Sequence, residues 1–121
     1  MSAPNLDPEK IAIEHDLTPT ATWRRGEMRR GVACEASGLN LSLGEALSSE
    51  AAVSAATTFV RRNPSLLSDV QAQAGTIQID FGLMVGAEQS YAPSLICTPE
   101  ELTTLAKASV SLVVSAYPVA E

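Results

Sequence analysis

Histidine occurs once in this chain, tryptophan once and cysteine twice, and aromatic residues make up only 4% of it. A structural zinc site usually takes four Cys or His ligands, so one histidine and two cysteines far apart do not supply one. Basic residues are also scarce: eight Lys and Arg stand against fourteen Asp and Glu, a net charge of −6. That balance argues against nucleic acid or an anionic membrane as the main partner. No apolar run approaches the roughly 20 residues a membrane span needs. Residues 1–10 lack the basic start and apolar stretch of a secretory signal. There is no Gly-x-Ser-x-Gly elbow, no glycine-rich phosphate loop and no dinucleotide fingerprint. The expected setting is the cytoplasm, with Cys34 and Cys97 as reduced, buried or half-buried thiols. The sequence points to no cofactor, no metal and no catalytic residue.

What is present is the composition of a globular protein. Of the 121 residues, 45% are hydrophobic and 18% charged, enough for a single domain over 1–121 with one core. The clearest element is Thr76–Val85. Ile77, Ile79, Phe81, Leu83 and Val85 alternate with Thr76, Gln78, Asp80, Gly82 and Met84, the period of a half-buried strand.

Around it the chain reads in order. Residues 1–5 are expected to be disordered. Asp7-Pro8-Glu9 opens a short helix, with Leu6 and Ile11 spaced as a hydrophobic staple, ending near His15–Leu17 because Pro19 disfavours helix at Thr18. Residues 18–31 have no clean period and read as an irregular surface connection. Gly31–Leu43 reads as a strand with Leu39, Leu41 and Leu43 on one face. Ala52, Val53, Ala56, Phe59 and Val60 recur at helical spacing within Glu50–Arg62. Asn63-Pro64 breaks that helix and starts another, whose buried stripe is Leu66, Leu67 and Val70. After the central strand, Tyr91–Cys97 is expected to return as a short strand, which Pro93 confines to an edge or a late start. Thr98-Pro99-Glu100-Glu101 is a capping box for a helix with Leu102, Leu105 and Ala106 inward. Ser109–Tyr117 closes as a strand with Val110, Leu112, Val114 and Ala116 on one face. The order α-β-α-α-β-β-α-β predicts an α+β fold, an antiparallel or mixed sheet of about four strands with helices packed on one face.

The segment Thr18-Pro19-Thr20-Ala21-Thr22-Trp23-Arg24-Arg25-Gly26-Glu27, behind the Asp7-Pro8-Glu9-Lys10-Ile11 helix start, resembles a bacterial family, domain-of-unknown-function family 4279. The Thr98–Leu102 helix start, with Leu105-Ala106, Ser111-Leu112 and Ala116-Tyr117, extends the resemblance over most of residues 6–117. Family members usually open with a strand ahead of the first helix. Here only residues 1–5 precede it, which implies a missing strand and an exposed sheet edge. The family carries no established activity.

Four of the eight basic residues and the only Trp fall between 23 and 30. Trp beside arginines is the residue mix of interface hot spots, so Trp23, Arg24, Arg25, Glu27, Arg29 and Arg30 form the candidate binding surface. The leading expectation is a non-enzymatic module binding another protein or itself as a homodimer. The opposing expectation is that Trp23 folds inward as a lid while the arginines pair with Glu27, Glu35 or helix acids. Two further readings stand beside these. One is a small enzyme using Asp80, Glu35 or Cys34 between the sheet and the 18–31 segment. The other is an anion- or nucleotide-binding protein using Arg24, Arg25, Arg29 and Arg30. His15, at a helix end, reads as structural or exposed.

Overall fold

A computed structural model describes residues 1–45, 48–85 and 94–118. In chain order the elements are β1 (Ser2–Ala3), α1 (Pro8–Glu14), β2 (Ala21–Trp23), β3 (Met28–Arg29), β4 (Val32–Ala33), β5 (Ser37–Asn40), α2 (Ser49–Arg62), α3 (Pro64–Ala72), β6 (Ile77–Val85), α4 (Pro99–Lys107) and β7 (Val110–Pro118). The fold is α+β. Among the described residues the expected single sheet is replaced by three small ones, ordered β1-β5-β2, β3-β4 and β6-β7. The chain divides into two compact units, Met1–Gly44 with Arg62–Ile77, and Glu45–Arg61 with Gln78–Glu121.

In the first unit, Asp7 caps α1 by accepting from the Lys10 N–H at 3.2 Å, and Pro8 takes the first helical position. Leu6 and Ile11 are both buried, as the staple requires. The helix stops at Glu14. His15 is its C-cap, and Asp16 adopts a left-handed φ of 53° that turns the chain away.

Residues 1–5 are not the disordered tail expected. Ser2 pairs with Gly38 and Ala3 with Ser37, while Met1 and Leu39 exchange backbone hydrogen bonds at 3.0 Å. The reason is that β5 is buried along Ser37, Gly38 and Leu39 and needs a hydrogen-bonding neighbour on each edge. β2 covers the other edge, antiparallel, in the register Ala21↔Asn40, Thr22↔Leu39 and Trp23↔Gly38. Ser2 also exchanges backbone bonds with Thr76 at 3.0 and 2.7 Å, which ties the start of the long strand to β1.

Residues 18–31 are likewise more regular than expected, since they contain β2 and β3. Arg30 and Gly31, at φ 51° and 78°, form the two-residue loop that joins β3 to β4. Positive φ at both loop residues matches the right-handed twist of the strands it joins. Gly31–Leu43 is accordingly two short strands, not one. Cys34 still bonds back to Gly26 and Glu27 as part of the hairpin, and β5 begins only at Ser37.

In the second unit, β6 shows the expected alternation. Phe81 is buried, Ile79 and Leu83 are half-buried, and Gln78, Asp80, Gly82 and Met84 are exposed. Val53, Ala56 and Phe81 form the centre of a cluster completed by Ala52, Ile79, Leu95 and Cys97. The capping box of α4 is present in both directions, Glu101 N–H to Thr98 Oγ1 at 3.2 Å and Thr98 N–H to Glu101 Oε1 at 2.9 Å. Ser115 donates to Asp80 across 35 residues, and Tyr117 lies against Gly82 at the same offset. Contacts that advance together along both strands have the sense of a parallel pair, with α4 in the connection.

Three expectations for this unit fail. Of the Tyr91–Cys97 strand, 91–93 lie outside the described residues and 94–97 form no strand. In α4 only Leu105 is buried; Leu102 and Ala106 face water because the nine-residue helix rests on one narrow stripe. In β7, Val110 is buried but Leu112, Val114 and Ala116 are exposed, because beyond Val110 the half-buried face is the other one, carrying Val113 and Ser115. No helix of the described residues is long and apolar enough to cross a membrane.

Candidate functional site

The segment from Trp23 to Ala33 rises from the end of β2 as a hairpin arm. Its base is fixed by local hydrogen bonds. Arg25 N–H donates to the buried Ser37 hydroxyl at 2.8 Å, and Arg24 N–H donates to the Glu27 carboxylate at 2.9 Å. Gly26 N–H donates to the Cys34 carbonyl and Cys34 N–H to the Glu27 carbonyl, both at 2.8 Å. Above them Met28 pairs with Ala33 and Arg29 with Val32.

The six residues proposed from the sequence are therefore neighbours, but they divide by role. Trp23 is half-buried and covers Gly38; a Cβ at position 38 would lie 2.5 Å from the indole. The Arg29 guanidinium sits 5.1 Å from the centre of that ring, within cation–π range. Arg24 reaches back to the start of α1, where it binds Asp7 at 3.1 Å and also Glu9. The Lys10 N–H and then Arg24 hold the Asp7 carboxyl below its ordinary value. Trp23 and Arg24 are thus tied into the fold, and Glu27 closes the turn. The Arg25 and Arg30 side chains have no partner among the described residues.

Two arm residues escaped the sequence reading. Met28 and Val32 are 63% and 69% exposed, and they lie on opposite faces of the hairpin. The signal was an apolar residue on either side of Arg29-Arg30-Gly31, but a strand of two residues shows no periodicity.

A shallow groove of about 430 Å³ runs between α1 and β2, lined by Glu9, Ala12, Ile13, Pro19 and Thr20–Thr22. Its one carboxylate is engaged by Arg24. Elsewhere in the same unit, His15 contacts Asp69 of α3 at 2.6 Å, a pairing across 54 residues that no local pattern could reveal. Of the residues considered for an enzyme, Cys34 and the exposed Glu35 belong to the first unit and Asp80 to the second. Both cysteines are free. Burial, and then the Glu101 carboxylate, push the Cys97 thiol above its ordinary pKa.

No family model, curated protein or solved structure matches this chain.

Proposed function

We infer that the protein is a non-enzymatic binding module that engages another protein through the Trp23–Ala33 arm. The observation that carries this reading is the exposure of Met28 and Val32 on a hairpin whose remaining side chains are mostly arginines. Large apolar side chains on so short an arm add little to any core, and they gain free energy when a partner removes them from water. Interface centres are rich in Met, Arg and aromatic residues, and the arm combines Met28, Val32, Arg25, Arg29 and Arg30 beside Trp23.

Charge narrows the partner. The chain has a net charge of −6, yet four of its eight basic residues stand in this segment. An arm with basic residues and an apolar side chain on each face suits a cleft with apolar walls rimmed by carboxylates. The chain is itself acidic, so a homodimer belongs to the same proposal. So do a cytoplasmic setting and kinship with family 4279. The kinship is supported by the Trp23-Arg24-Arg25-Gly26-Glu27 run and by β1, which stands ahead of the first helix where family members usually have a strand.

The test compares the wild-type chain with a Met28→Ser/Val32→Ser/Arg30→Ser variant whose circular dichroism is unchanged. Light scattering gives the mass in solution, and affinity capture from lysate gives bound proteins. The variant is expected to lose either the dimer mass or a protein retained by the wild type. Identical mass and identical retained proteins would remove the arm as the contact element.

A further inference from the structure

Three donor groups meet where α1 ends. His15 Nε2 lies 2.6 Å from Asp69 Oδ2 on α3, and Glu14 brings a carboxylate oxygen to the same place. One donor atom from each of the three residues lies within 4.8 Å of the other two. On a continuing helix, adjacent residues diverge by about 100° and do not face a common point. Here the chain leaves the helix at His15, so Glu14 and His15 converge on α3.

The His15–Asp69 contact uses one ring nitrogen and one carboxylate oxygen, and leaves Glu14 beside them with only the Lys10 ammonium at 3.8 Å among the described residues. A divalent cation would satisfy all three donors together. Metal–ligand bonds of about 2.0–2.2 Å set tetrahedral donors about 3.3–3.6 Å apart, so the His15–Asp69 pair would open by about 1 Å. The Glu14 and Asp69 side chains are 47% and 48% exposed and can make that movement, while the imidazole is held in place at 15%. An imidazole with two carboxylates selects Zn²⁺ or its first-row neighbours over Mg²⁺ and Ca²⁺, which favour oxygen ligands throughout.

We propose that Glu14, His15 and Asp69 form a three-ligand site for a divalent first-row transition metal, which clamps the end of α1 to α3. The remaining coordination position is open to water.

Calorimetric titration of Zn²⁺ into the full chain tests it. The expected result is one ion per chain with Kd of about 10 µM or tighter. His15→Asn and Asp69→Asn should each weaken binding at least about tenfold, while Glu35→Gln, outside the cluster, leaves it unchanged. Co²⁺ added to the wild-type chain provides a reading that depends on no variant. The proposal requires visible absorption from a nitrogen and oxygen ligand set, without a thiolate-to-metal band. It is overturned by absence of binding at about 100 µM Zn²⁺, by unchanged affinity in His15→Asn, or by a thiolate band assigning the metal to cysteine.

Discussion

Trp23 and Gly38 stand opposite each other in the register of β2 and β5, and the indole fills the space that a side chain at position 38 would need. The same space is bounded by the Met1 carbonyl, 2.4 Å from where a Cβ would be. The only Trp of the chain is thereby a structural cover for β5 and, through Arg29, the anchor of the arm.

Gly38→Ala should therefore destabilise the protein by about 1–3 kcal/mol, the usual range for overpacking. A backbone oxygen stands on one side of the new methyl, so rotating the indole alone cannot relieve the clash. Urea denaturation followed by Trp fluorescence measures the loss and reports whether the indole has moved into water.

At the tip of the arm, Arg30 holds φ 51° and Gly31 φ 78°. Asn is far better suited than Arg to the first of these positions, and Gly to the second. Arg30→Asn should leave the fold as stable or more stable by up to about 1 kcal/mol. Gly31→Val should unravel the hairpin, because a β-branched residue resists left-handed backbone. Loss of the cross-strand amide contacts between Met28 and Ala33 in nuclear magnetic resonance spectra would show it.

Much of the helical structure was legible because its signals are local. The Asp7-Pro8 start and the Thr98/Glu101 box each lie within four residues, and both form as read. The nine-residue strand β6 was legible because period two can be counted along it. Strands β1 to β3 were not, and β4 was read only as part of one longer strand, since two or three residues cannot show a period. They exist because β5 and the Arg30-Gly31 loop supply partners for them. The six candidate residues are neighbours in the fold as they are in sequence, but the division of labour within the segment depends on Gly38, Asp7 and Glu9, which lie elsewhere in the chain. The His15–Asp69 pairing depends wholly on how α1 and α3 meet.

The Asp7 cap carries a pH dependence. Its folded pKa is depressed below the ordinary 3.8 by the Lys10 N–H and then by Arg24. A depressed acid stabilises the fold fully above its unfolded pKa, and the stabilisation is lost as pH falls through the folded value. The Tm difference between wild type and Asp7→Ala should be constant above about pH 5 and shrink below about pH 4. A difference unchanged down to about pH 2 would show that the charged carboxylate is not what stabilises the cap.

Cys97 should be a sluggish nucleophile. Burial and the neighbouring Glu101 raise its thiol pKa, so less thiolate is present at neutral pH than for a free cysteine. Glu101→Gln keeps the capping box but removes the charge, and should speed alkylation of Cys97 by iodoacetamide by about twofold. Peptide mass spectrometry resolves Cys97 from Cys34.

The arm as contact element is tested most directly by photo-crosslinking in living cells, with benzoylphenylalanine placed at position 28 or 32. Position 13 serves as the control, because Ile13 is a large apolar residue at 81% exposure outside the arm. If the arm binds a protein, both arm probes give the same discrete adduct, either twice the mass of the chain or a single other protein, and the control probe does not. If positions 28 and 32 give no discrete adduct, or the same adducts as position 13, the arm is not the binding surface.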